Sequence, residues 1–145
     1  MRRLVFDTNI YIDWINQGEH EDVLFQPEAV KYLSSVVLME LRAGAFRARD
    51  VRLIERLETT FAKADRLLVP SRRAWSLAGT VLRGLHVERG YNLDGRGAIV
   101  NDVLLAVSAR EMGAFVVTQN ERDFRAIAAV YPFGLIVVPG MRTSG

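Results

Sequence analysis

Leu4-Val5-Phe6-Asp7-Thr8-Asn9 is the stretch on which the fold turns. Three apolar residues stop abruptly at a carboxylate. From Thr8 to about Gln17 the apolar residues then fall at Ile10, Ile12, Trp14 and Ile15. A short strand running straight into a short helix accounts for both halves, and Gly18 is the expected helix stop.

The same alternation continues along the chain. Residues 19–27 carry acids and end in proline, as in a loop or the start of a short helix. Lys31 to Val37 reads as a second strand and Leu38 to Ala45 as helix. Val51, Leu53, Ile54, Leu57 and Phe61 give Arg49 to Lys63 the spacing of an amphipathic helix. Leu67-Leu68-Val69 reads as a strand closed by Pro70. Ser71 is a cap for a long helix to about Arg89. Gly90 to Gly97 holds three glycines and reads as an exposed loop. Ile99 to about Met112 is an apolar helix, Phe115 to Thr118 a strand, Asn120 to Ala129 a helix, and Leu135 to Val138 the last strand. Alternating strands and helices predict an α/β protein: a three-layer α/β/α sandwich around a mostly parallel sheet of about four or five strands. The 145 residues are expected to form one domain over 1–145.

Composition narrows the chemistry. The chain has no cysteine and only two histidines, His20 and His86, so thiolate metal sites, disulfides and multi-histidine zinc sites are excluded. The absence of a long apolar run argues against a membrane span. The basic start, Met1-Arg2-Arg3, meets Asp7 too soon for a signal peptide, so the expected compartment is the cytoplasm.

In parallel sheets, ligands bind beyond the carboxyl ends of the strands. Asp7 stands just past the first strand. Thr118, Asn120 and Asp123 stand at or beyond a later one. Glu40 lies on the helix after the second strand, and Asp102 opens the apolar run Val103-Leu104-Leu105-Ala106-Val107. Parallel strands would bring these four carboxylates to one edge. Clustered carboxylates repel, so such a group calls for a cation or for raised pKa values. Oxygen-only ligands suit Mg²⁺ or Mn²⁺. Metal-assisted phosphodiester hydrolysis is the chemistry this set points to. Plainer readings stand beside it: Asp7, Asn9 and Asn120 as caps or turn residues, Asp102 and Asp123 as charges favoured at helix starts, and Glu40 as a solvated helix residue.

Four segments carry a resemblance. Phe6-Asp7-Thr8-Asn9, Leu38-Met39-Glu40-Leu41-Arg42-Ala43-Gly44, Asn101-Asp102-Val103-Leu104-Leu105-Ala106 and Thr118-Gln119-Asn120-Glu121-Arg122-Asp123-Phe124 occur in the order of the motifs of PIN domains. The chain is similar in length and layout to VapC-type toxins of toxin–antitoxin pairs. The resemblance implies an endoribonuclease dependent on Mg²⁺ or Mn²⁺, with Asp7, Glu40, Asp102 and Asp123 in metal and catalytic roles. It implies supporting roles for Asn9, Thr118 and Asn120. Relatives place the fourth acid at either the Asn120 or the Asp123 position, so both stay open. Water would be the nucleophile, leaving a 5′-phosphate and a 3′-hydroxyl. The resemblance also implies a homodimer and a cognate antitoxin. A PIN-like RNA-processing or structure-specific DNA nuclease without an antitoxin, and a non-catalytic binding module, are the alternatives.

An RNA substrate needs positive charge around an acidic pocket. Setting aside the four acids leaves 13 acidic against 19 basic residues. Residues 42–73 hold nine basic residues and four acids, which makes Arg42, Arg47 and Arg49 candidate phosphate contacts. A solvated helix face with internal pairs, such as Arg52 with Glu55, explains the same charges equally well. Trp14 and Trp75 read as core or interface anchors more readily than as base-stacking residues.

Overall fold

A computed structural model of the chain describes residues 1–95 and 97–140. Its strands are β1 (Arg2–Phe6), β2 (Ala29–Ser34), β3 (Leu67–Leu68), β4 (Ala114–Thr118) and β5 (Leu135–Val137). They form one five-stranded sheet in the order β3-β2-β1-β4-β5, and every pairing is parallel. The helices are α1 (Thr8–Gln17), α2 (Glu21–Leu24), α3 (Ser35–Ala43), α4 (Ala48–Lys63), α5 (Arg72–Arg89), α6 (Gly97–Glu111) and α7 (Glu121–Val130).

Successive strand residues point to opposite faces of a sheet. Leu4, Val5 and Phe6 of β1 are all buried, so both faces of the central strand are covered. This is the continuous apolar signature of a parallel strand between helical layers. The α1, α3 and α4 helices pack together, as do α5, α6 and α7. The chain steps outward from β1 through β2 to β3, then crosses to β4 on the other side of β1. The strand order therefore reverses between β1 and β4, and a crevice opens at their carboxyl ends. Asp7 and Thr118 stand there. Asp7 N–H still bonds the Val117 carbonyl at 2.9 Å, which ties the two strand ends together.

The elements match the sequence expectations except at a few joints. The sequence predicts the second strand from Lys31 to Val37, but it runs Ala29–Ser34 and the chain turns helical at Ser35. The Ser34 hydroxyl accepts from Val36 N–H at 3.1 Å and caps α3. Val36 and Val37 prefer strands intrinsically, yet both are buried from within the helix, so packing overrides propensity. Pairing in β3 ends at Leu68, and Val69 is exposed. A short helix, α2, forms in 21–24, and its following residue, Phe25, packs edge-on against Trp14 with ring centroids 5.5 Å apart. Trp14 is thus a packing residue, whereas Trp75 is 58% exposed. Ser71 caps α5 as expected, accepting from Ala74 N–H at 3.0 Å.

Candidate active site

Each acid of the site is placed by its own element. Asp7 lies between the last residue of β1 and the first of α1. It is 5% exposed, and both oxygens of its carboxylate accept hydrogen bonds. Oδ1 accepts from Thr8 N–H at 2.8 Å. Oδ2 accepts from the Thr118 hydroxyl at 2.7 Å and the Asn9 amide at 3.2 Å. Asp7 is therefore the cap of α1 and a site residue at once; the two readings do not compete. Burial raises its pKa most and Glu40 adds to that, while Thr118, Thr8 and Asn9 act in the opposite direction.

Thr118 ends β4 and is fully buried. Its oxygen also accepts from Asn120 N–H at 3.0 Å. One hydroxyl thus links the start of α7 to Asp7. Asn9 accepts from Gln119 N–H at 3.4 Å and joins the same two strand ends from above. Glu40, on α3, is brought in by Thr8, whose hydroxyl donates to Oε1 at 2.8 Å.

Asp102 projects from the second turn of α6. Burial first, then the charges of Asp7, Glu40 and Asp123, push its pKa up to about 8. All three charged neighbours are carboxylates, which places the four acids within one electrostatic field. Asn120 caps α7, accepting from Asp123 N–H at 3.3 Å, and its amide faces two acids. It lies 3.1 Å from Asp123 Oδ2 and 3.4 Å from Asp102 Oδ2. Both candidates for the fourth position thus meet at one point, where the Asn120 amide bridges the carboxylates of Asp123 and Asp102.

The carboxylates and hydroxyls gathered here are oxygen donors, which suit a hard divalent cation, and repulsion among the acids calls for positive charge. Among the described residues, no group of three or more His, Asp or Glu is already arranged to hold a metal ion.

Three participants were not singled out from sequence. Thr8 sits inside the first motif, where its place beside Asp7 was the available signal. Tyr91 donates to Asp123 Oδ1 at 2.8 Å from the loop after α5. Gln119 reaches the other way. Its amide bonds Asp13 and lies 2.7 Å from His20 Nε2, behind the β4 end. No spacing rule marks either of the last two.

The basic candidates divide. Arg42 on α3 pairs with Glu58 on α4, Nη2 to Oε1 at 2.5 Å, so its charge is already answered. Arg47 precedes α4 and Arg49 lies in its first turn, both exposed. Among the described residues no Arg52–Glu55 ion pair is found, and Glu58 of α4 pairs with Arg42 instead. His86 bonds the Tyr91 carbonyl at 2.7 Å through Nδ1, and His20 faces Asp13 and Gln119, so neither stands among the four acids.

Solved structures share this architecture. VapBC2 from Rickettsia felis, bound to a promoter DNA fragment, is similar with a TM-score of 0.68 at 21% identity, over 94% of this chain and 98% of that chain. DNA-bound VapBC from Salmonella typhimurium gives a TM-score of 0.68 at 23% identity, over 94% and 98%. VapBC-5 from Mycobacterium tuberculosis, of the VapBC family of toxin–antitoxin systems, gives 0.63 at 26% identity, over 95% and 100%. No curated protein matches this chain by sequence. The family model of the PIN domain matches residues 4–130, a span that holds all four acids, and the chain belongs to the PIN domain family.

Proposed function

We propose that this chain is a VapC-type toxin: an endoribonuclease that hydrolyses RNA with water at the Asp7–Glu40–Asp102–Asp123 pocket and depends on Mg²⁺ or Mn²⁺. One observation carries the reading. Beyond the ends of β1 and β4, Thr8 links Asp7 to Glu40 and the Asn120 amide links Asp102 to Asp123, a gathering of carboxylates that favours a cation. The similarity to VapBC structures over nearly the whole of both chains supports the toxin assignment.

Asp7 and Asp102 would hold the ion, Asp7 because three donors fix its orientation and Asp102 because it gains most from positive charge. An ion held there would supply charge against the scissile phosphate and a more acidic water. Glu40, oriented by Thr8, would take the proton of the attacking water. Asp123 would orient water on the far side of the pocket, with Asn120 between it and Asp102. Thr118 and Asn9 keep Asp7 aimed into the crevice. Arg47 and Arg49 on the exposed start of α4 would meet the RNA backbone, and the loss of Arg42 to Glu58 weakens its candidacy.

A cognate antitoxin is the expected partner. A groove lined by Ile12, Ile15, Leu41, Ala45 and Ile54 runs from Glu40, and Phe46 beside it is 91% exposed. An apolar antitoxin segment could lie there and place a basic side chain over the acids. Exposed Trp75 on α5 is the candidate contact for a homodimer. Among the described residues no helix is long and apolar enough to cross a membrane, and the proposed site of action is the cytoplasm.

The test is cleavage of a panel of cellular RNAs by the purified protein and by Asp7→Asn, each with Mg²⁺, Mn²⁺ or EDTA. Cutting that needs metal and disappears in the folded variant supports the reading. Equal cutting by both proteins contradicts it.

A further inference from the structure

The loop after α5 returns to the acids in a way that has no role in the scheme above. Gly90 ends α5 in the left-handed conformation, φ 70°, which an L side chain adopts only with strain. That turn sends Tyr91 back along its own helix. Tyr91 N–H bonds the Leu85 carbonyl at 3.2 Å, and the Tyr91 carbonyl lies 2.7 Å from His86 Nδ1. A carbonyl only accepts, so His86 carries its proton on Nδ1 in this contact. The backbone of Tyr91 is thus tied on both sides to the last turn of α5. Its hydroxyl crosses to α7 and donates to Asp123 Oδ1 at 2.8 Å.

Asp123 therefore has a donor on each oxygen: Tyr91 on Oδ1 and Asn120 on Oδ2 at 3.1 Å. Asn120 alone leaves the carboxylate free to rotate about its longer contact. The shorter Tyr91 bond, from a different element, fixes the plane of the group. Each carboxylate oxygen has two acceptor directions, so the bond orients Asp123 without using up its capacity to face a cation. Outer partners of this kind commonly change metal affinity or activity by about 10–100-fold when removed.

We propose that Tyr91 is a positioning residue of the acidic site: its hydroxyl, braced by His86 and the Gly90 turn, holds Asp123 in the orientation that faces the pocket. This rests on the reading of the four acids as a cation-dependent nuclease site. Tyr91 is only half-buried and His86 is exposed, so replacing either leaves the core intact.

The experiment is calorimetric titration of Mn²⁺ into the unaltered protein, Tyr91→Phe and His86→Ala, with thermal unfolding of each and RNA cleavage against Mn²⁺ concentration. Tyr91→Phe removes one oxygen and keeps the ring. The expected result is Mn²⁺ binding about tenfold weaker in Tyr91→Phe, a smaller loss in His86→Ala, and unfolding temperatures close to the unaltered protein. The Mn²⁺ concentration for half-maximal cleavage should rise in step, with a smaller change in the saturated rate. A merely structural contact would move the unfolding temperature and leave Mn²⁺ affinity alone, and that outcome, or unchanged affinity in Tyr91→Phe, would overturn the inference while leaving the nuclease reading in place. Absence of Mn²⁺ binding by the unaltered protein would overturn both.

Discussion

Asp7 and Asp123 are two of the four acids proposed for the site, and the fold holds them by different means. Asp7 sits on the sheet, between two strands whose backbones are hydrogen-bonded together, and takes donors at 2.7, 2.8 and 3.2 Å. Asp123 sits on the first turn of α7 and is held by two side chains, one from a loop and one from a helix cap. The first is built into the ladder that makes the protein fold. The second depends on elements that can shift without unpairing a strand. The two acids are thus a wall fixed by the sheet and a wall fixed by side chains alone.

The largest effect is expected at the fixed wall. Asp7→Asn keeps the shape and removes the charge, and it should lower metal-dependent cleavage by about 10³-fold, comparable to loss of a principal electrostatic group. The fold should survive, because the substitution also removes a buried charge. Circular dichroism beside the cleavage assay checks both halves. Asp123→Asn should cost less activity; an equal loss would mean the two walls are not different.

A pH series separates folding from function. Asp102 holds its proton in the folded protein up to about pH 8, against an ordinary value of 3.8. Between these values the folded state binds more protons than the unfolded state. Stability from this group is therefore complete below about pH 4 and is lost as pH rises through 8, with a limiting slope of about 1.4 kcal/mol per pH unit. In EDTA the unfolding free energy should fall from pH 5 to 8. Asp102→Asn should flatten that fall, and Mg²⁺ should oppose it. Asp7, also raised by burial, should leave a smaller remainder of the same sign.

Thr118→Ala is a milder cut into the fixed wall. It takes the closest donor from Asp7 and the acceptor from Asn120 N–H. A cost of about 1–3 kcal/mol is expected for leaving such groups unpaired. Chemical denaturation measures it, and Thr118→Ser should recover most of the loss. Gln119→Ala should do least, under about 1 kcal/mol, since its side chain turns away toward Asp13 and His20. A larger effect on cleavage than on stability would show that this outer network also steers the site.

What the sequence revealed follows the same division. Asp7, Glu40, Asp102 and Asp123 were legible because strand–acid and acid–apolar-helix patterns are local, and parallel pairing then gathers them. The start of α3 was not, because Val36 and Val37 look like strand until their burial in a helix is known. Arg42 looked free because Glu58 lies 16 residues away on the next helix. Tyr91 was invisible for a similar reason. Its partner is 32 residues away, and only the left-handed turn at Gly90 aims it there. Contacts set by elements folding toward one another leave no periodic mark in the chain.

The most direct test of the central claim is the chemistry of the cut ends. Hydrolysis by water at an acidic, cation-dependent pocket predicts RNA products with a 5′-phosphate and a 3′-hydroxyl, formed with Mg²⁺ or Mn²⁺ and absent in EDTA. Products ending in a 2′,3′-cyclic phosphate and a 5′-hydroxyl would contradict it, because they require attack by the ribose 2′-hydroxyl.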